Sequence, residues 1–177
     1  MATMTEMTVA GLLLDPSTGL PIVVLRDMEG KRAVPIWIGQ LEAIAIASEL
    51  EKIKHARPMT HDLLKNTIAA LGFTVKRIEV NDLRDNTFFA TIYLDREGTI
   101  IPVDSRPSDA IALAIRVAAR IWVAEHVIEK AGQKAEVAPD GADKKPEEAA
   151  DAVGSEKDRW QTLLDSLKPE DYGKYRQ

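Results

Sequence analysis

Apolar residues recur along the first third of the chain in short runs broken by polar, glycine- and proline-containing stretches. Residues 8–14, 21–26 and 32–38 read as three strands. The segments between them, Asp15-Pro16-Ser17-Thr18-Gly19 and Asp27-Met28-Glu29-Gly30, carry turn chemistry. Connections this short predict an antiparallel meander. Gly39 closes it, and from residue 40 to 52 the period changes. Leu41, Ile44, Ala45, Ile46, Ala47 and Leu50 leave only a narrow polar stripe, the pattern of a largely buried helix.

A second helix is predicted over 61–71, with Thr60 as its N-cap, Asp62 at its positive end and Gly72 as terminator. Strands follow at 73–80, 87–94 and 99–103. In the middle one Phe88, Ala90, Ile92 and Leu94 alternate with Thr87, Phe89, Thr91 and Tyr93. Asp95-Arg96-Glu97-Gly98 suits a tight hairpin. An almost wholly apolar helix is expected over 107–119, then a short strand at 121–123 and a helical turn at 125–130.

Beyond residue 130 the pattern stops. Residues 131–154 hold seven alanines, three glycines, two prolines, many charges and no aromatic residue, so the stretch reads as a flexible linker. Residues 155–177 read as a tail. Ser155-Glu156-Lys157-Asp158 resembles a capping box, and Trp160, Leu163, Leu164 and Leu167 fall on one helical stripe that Pro169 stops. The expected organisation is a folded part over 1–130, the linker, and an amphipathic tail helix.

Composition narrows the class. No apolar run approaches the ~20 residues that span a bilayer, and the first residues lack the basic-then-apolar pattern of a signal peptide. There is no cysteine, hence no disulfide, thiolate nucleophile or cysteine-based zinc site. The expected compartment is the cytoplasm, with no membrane partner. The net charge of −5 is not that of a dedicated nucleic-acid binder. Residues 1–130 nevertheless carry 15 basic against 17 acidic side chains, and the rest 8 against 11, so the folded part is close to neutral. Glycine-rich phosphate loops, dinucleotide fingerprints, zinc-protease motifs and nucleophile elbows are all missing from the sequence.

Candidate chemistry collects where helices begin. Asp104, Ser105, Arg106, Ser108 and Asp109 surround Pro107 at the start of the apolar helix. Backbone N–H groups at a helix start can take a phosphate, and flanking carboxylates can hold a divalent cation. Capping and helix-dipole roles account for Ser105, Ser108 and Asp109 equally well. Arg106 is harder to explain that way, because a guanidinium ahead of a proline is suited to grip a phosphate or a carboxylate. Arg57-Pro58-Met59-Thr60-His61-Asp62 forms a second such cluster, in which His61 either borders the core on the face of Leu64 and Ile68 or serves as general base or metal ligand. Asp62, on the polar face, is equally a helix-dipole partner. Glu42, on the polar stripe of the first helix, would complete a carboxylate set with Asp104 and Asp109 for Mg²⁺ or Mn²⁺.

Taken in order, Pro35-Ile36-Trp37-Ile38-Gly39 with Glu42-Ala43, Arg57-Pro58 with Thr60-His61-Asp62-Leu63-Leu64, Phe88-Phe89-Ala90, and the run Val103-Asp104-Ser105-Arg106-Pro107-Ser108-Asp109-Ala110-Ile111-Ala112-Leu113-Ala114 resemble the bifunctional nuclease domain family. The match covers about residues 6–130, and the tail from Trp160 through Tyr172 is similar to that of bacterial members. Arg120 departs from the proline usual before the Ile-aromatic-Val strand. The resemblance implies an α+β fold, a mainly antiparallel β-sheet packed with three to four helices, and self-association as a dimer or higher oligomer. It also implies nuclease activity on RNA and DNA, credited chiefly to plant members.

Two readings follow. In the first, the chain is a metal-assisted nuclease: Glu42, Asp104 and Asp109 hold Mg²⁺ or Mn²⁺, while His61, Asp62, Asp104, Arg106 and Asp109 carry the catalysis. Arg57, Arg106 and Ser108 would bind the substrate. In the second, the same polar side chains form a non-catalytic network that fixes helices to the sheet in an interaction module.

Overall fold

A computed structural model describes residues 3–131 together with 133 and 134. The expected tail helix and nearly all of the expected linker lie outside the described residues.

The first meander is built from β1 (Met4–Leu14), β2 (Pro21–Asp27) and β3 (Arg32–Trp37) and leads into helix α1 (Gln40–Leu50). Helix α2 (Thr60–Ala70) precedes a second meander, β4 (Thr74–Arg84), β5 (Thr87–Arg96) and β6 (Thr99–Ser105), which leads into α3 (Pro107–Val117). Strand β7 (Arg120–Ala124), helix α4 (Glu125–Ala131) and the two-residue β8 (Gln133–Lys134) follow. The strands form one sheet in the order β6-β5-β4-β7-β1-β2-β3-β8. Every pairing is antiparallel except β4 with β7. The expected α+β class therefore holds.

β6, α3 and β7 explain the one parallel pair. β6 and β4 both run antiparallel to β5, so α3 must carry the chain back before β7 can enter beside β4. Helix α3 packs on β4, β5 and β7 below and on α1 and α2 alongside. Ala110, Ile111, Ala112, Leu113 and Ala114 are all fully buried, which is why the sequence shows no polar face there. The small alanines let the neighbours approach. Leu25, Met7, Ile121, Val123, Ile78, Val80, Ala90 and Ile92 line the same face of the sheet, as the strand registers require, and are all buried.

Several boundaries differ from the sequence expectation. β1 begins at Met4, four residues early, because Met4, Thr5, Glu6 and Met7 pair with β7. The apolar helix stops at Val117 rather than 119. Ala118 adopts a left-handed conformation (φ +53°) and the Ala119 N–H donates to the Ala114 carbonyl at 3.0 Å. Glycine is the usual signal for such a stop, and an alanine gives none. Thr60, expected as the α2 N-cap, is instead its first helical residue, with Met59 at the cap. β8 lies just past the 130 boundary and adds backbone pairing to Arg32 and Ala33. Among the described residues no helix is long and apolar enough to cross a membrane.

Candidate functional site

Three helix starts supply the site. α1 begins at Gly39, whose missing side chain leaves room for the Glu42 carboxylate to fold back over the backbone. α2 begins after Met59, and Asp62 turns back so that its Oδ2 accepts the Met59 N–H at 3.0 Å. α3 begins after Arg106, with Pro107 in the first turn, where its lack of an N–H costs nothing. Since α3 packs against both α1 and α2, Glu42, His61 and Asp109 arrive from three segments at one place.

Asp109 sits at the centre. Its Oδ1 lies 3.0 Å from His61 Nε2, and Arg106 donates to both of its oxygens, from Nε to Oδ2 at 2.7 Å and from Nη2 to Oδ1 at 3.2 Å. Arg106 Nη1 donates to Glu42 Oε1 at 2.8 Å. The carboxylates and the imidazole are largely enclosed, with side-chain exposures of 20% for Glu42, 29% for Asp109 and 12% for His61, whereas Arg106 stays 65% exposed. Burial pushes the Asp109 carboxyl up, but the hydrogen bonds from Arg106 and His61 more than reverse this and hold it below the ordinary carboxylate value. Asp109, ahead of Glu42, in turn makes the Arg106 guanidinium harder to deprotonate.

Asp62 lies next to His61 in sequence but does other work. Its Oδ1 accepts from Arg116 Nε at 2.8 Å, and Arg116 also donates to the carbonyls of Ala112 and Ala45, each at 2.8 Å. Arg116 is 4% exposed. Burial pushes the Asp62 carboxyl up, and Arg116 together with the Met59 N–H brings it below the usual value. The sequence reading passed over Arg116. Its signal was present: it is the one basic residue of an apolar helix, seven residues after Asp109 and so on the same helical face.

The other expected residues do not join this group. Asp104 pairs across the sheet with Thr91, while the adjacent Ser105 pairs with the fully buried Ala90. Side chains alternate along a strand, so Asp104 stands on the face of the sheet away from α3 and is exposed. The expected trio Glu42, Asp104 and Asp109 is thus not assembled, and Arg106 fills the space between the two carboxylates that do meet. Among the described residues no group of three His, Cys, Asp or Glu side chains has the arrangement of a metal site. Arg57 is exposed in the loop before α2 and has no side-chain partner among the described residues. Ser108 is buried in the first turn of α3.

Comparison with known proteins bears on this arrangement. The family model of the bifunctional nuclease domain matches residues 23–136, a span that contains all three helix starts. The chain is 41% identical over 170 residues to an uncharacterized protein of Mycobacterium tuberculosis, covering 96% of this chain and 98% of that relative. It is 28% identical over 117 residues to bifunctional nuclease 2 of Oryza sativa and 26% identical over 118 residues to bifunctional nuclease 1 of Arabidopsis thaliana. Those two matches each cover 64% of this chain and 36% of the plant protein, so the chain spans about a third of the plant relatives' length.

Proposed function

The chain belongs to the bifunctional nuclease domain family, and from that membership we propose that it cleaves phosphodiester bonds of RNA or DNA at the group formed by His61, Asp109 and Arg106. The observation that carries the reading is the 3.0 Å contact between His61 and Asp109, made between separate helices beside an exposed arginine. A carboxylate on one imidazole nitrogen fixes the ring and its tautomer. With Nε2 committed to Asp109, Nδ1 is the nitrogen left to take a proton from an attacking hydroxyl or water.

Arg106 is suited to the phosphate. A guanidinium has five N–H donors. Three are used on Asp109 and Glu42, which leaves two for phosphate oxygens on its exposed side. There the fixed positive charge would stabilise the extra negative charge of the pentacoordinate transition state. Glu42 and Asp109 hold the guanidinium in place, an orientation that matters for bidentate recognition. Mg²⁺ or Mn²⁺ fits this donor set poorly, because Arg106 already occupies oxygens of both neighbouring carboxylates, and no step here is routed through a metal.

The test is cleavage of end-labelled single- and double-stranded RNA and DNA by the purified chain, with Mn²⁺ and with EDTA. Activity lost in His61→Ala and in Asp109→Asn, both still folded, supports the reading. Activity equal to wild type in both variants overturns it, as does none in the wild-type protein. A second reading, a non-catalytic interaction module, draws on one observation: Arg106 already has two carboxylate partners within the fold. It predicts that the same variants lose stability and that the wild-type protein cleaves nothing.

A further inference from the structure

We infer that Arg116, acting through Asp62, is the positioning residue of the His61–Asp109 pair; the inference extends the nuclease reading but rests on geometry that stands without it. Arg116 sits near the end of α3, yet its guanidinium is spent entirely on the elements that carry the site. Nε holds Asp62, the neighbour of His61 in the first turn of α2. Nη2 holds the carbonyl of Ala45, one turn after Glu42 on α1. Nη1 returns to the carbonyl of Ala112 on its own helix. One planar, buried group therefore ties α1 and α2 to α3.

Asp62 completes the device. Its other oxygen caps the Met59 N–H, so the first turn of α2 is anchored from both ends of one carboxylate. His61 is carried on that turn, so its backbone cannot shift toward or away from Asp109 without moving Asp62. A lysine cannot replace the arginine, because a single ammonium cannot reach three acceptors set out in the fork geometry of a guanidinium. Removing either partner leaves the other charge enclosed and unpaired, which is the costly outcome for a buried ion pair. Asp62 thus has a role distinct from the direct catalytic one that its place beside His61 suggested.

The experiment reads the imidazole itself. In wild-type protein with neutral His61, the two imidazole ¹⁵N shifts should report a single tautomer with the proton on Nε2, where it can be donated to Asp109. Arg116→Lys should give an averaged tautomer, and Asp62→Asn, the milder change, should move the shifts in the same direction while keeping the fold. Where the wild-type protein cleaves nucleic acid, Arg116→Lys should lower kcat by about 100-fold, the scale for roughly 1 Å of misplacement, and leave KM nearly unchanged. An unaltered single tautomer in both folded variants overturns the positioning role, whatever their melting temperatures. Altered tautomers in a chain without nuclease activity leave the positioning role standing and remove the nuclease reading instead.

Discussion

His61 and Asp109 start different helices, 48 residues apart in sequence, and their side chains meet at 3.0 Å while Arg106 donates to both oxygens of the same carboxylate. The carboxylate therefore stabilises two cations when the imidazole is protonated, and one when it is neutral.

A pH dependence follows from the carboxylates. Asp109, Asp62 and Asp27 are buried enough to be pushed up, yet each ends below its ordinary value because arginine and N–H donors outweigh burial. A carboxyl whose folded pKa lies below its unfolded value adds stability above the unfolded pKa. That stability is lost as pH falls through the folded one. The urea midpoint should accordingly hold steady near neutrality and fall from about pH 5 downward. Asp109→Asn should show a shallower fall than wild type, and an identical slope would refute the assignment.

Arg106→Ala separates structure from chemistry. The ion pairs it makes are solvent-exposed on the arginine side, so the stability loss should be about 1 kcal/mol or less. Glu42 and Asp109 would then each lose a guanidinium partner. We expect Mn²⁺ to raise the melting temperature of this variant and to leave that of the wild-type protein unchanged. Equal Mn²⁺ responses would show that the guanidinium does not stand in for a metal.

Gly39→Ala tests the support beneath Glu42. A methyl group there would collide with the Glu42 carboxylate, the free end of a flexible side chain, so the fold should yield cheaply. The consequence should fall on Arg106, which loses its Nη1 partner. The expected result is a melting temperature close to wild type, combined with a changed ¹⁵Nε signal of Arg106. A changed melting temperature with an unmoved Arg106 signal would mean that the glycine matters for another reason.

Ala118→Gly should stabilise the protein by roughly 1 kcal/mol. Ala118 is an exposed non-glycine residue held at φ +53°, a conformation that costs an L-residue about 1–2 kcal/mol, partly offset by the greater freedom glycine has when unfolded. Urea unfolding measures this directly, and a destabilised variant would contradict the left-handed stop.

Much of the fold was legible because period and punctuation agree. The alternation around Ala90 and Ile92, the turn residues between β1 and β2, and the apolar run of α3 each have one structural solution. Elsewhere the chain gave no local signal. β1 begins early because a distant strand, β7, pairs with it, and α3 ends at an alanine. At the candidate site the sequence found Glu42, His61, Arg106 and Asp109, residues that mark helix starts. It assigned Asp104 to the same group because neighbours in sequence look like neighbours in space. Arg116 escaped because its importance lies in three acceptors on three helices, which only tertiary packing brings together.

The end of β6 at Ser105, one residue before Arg106 caps α3, has a consequence for anyone altering this chain. Asp104 and Arg106 stand two residues apart, yet the first belongs to the open side of the sheet and the second to the helix layer. The run that reads as one signature is a fork with two addresses. Among the described residues Asp104 shares no side-chain partner with Arg106, so a double substitution at its two tines measures how far neighbours in sequence are coupled when their side chains serve different faces.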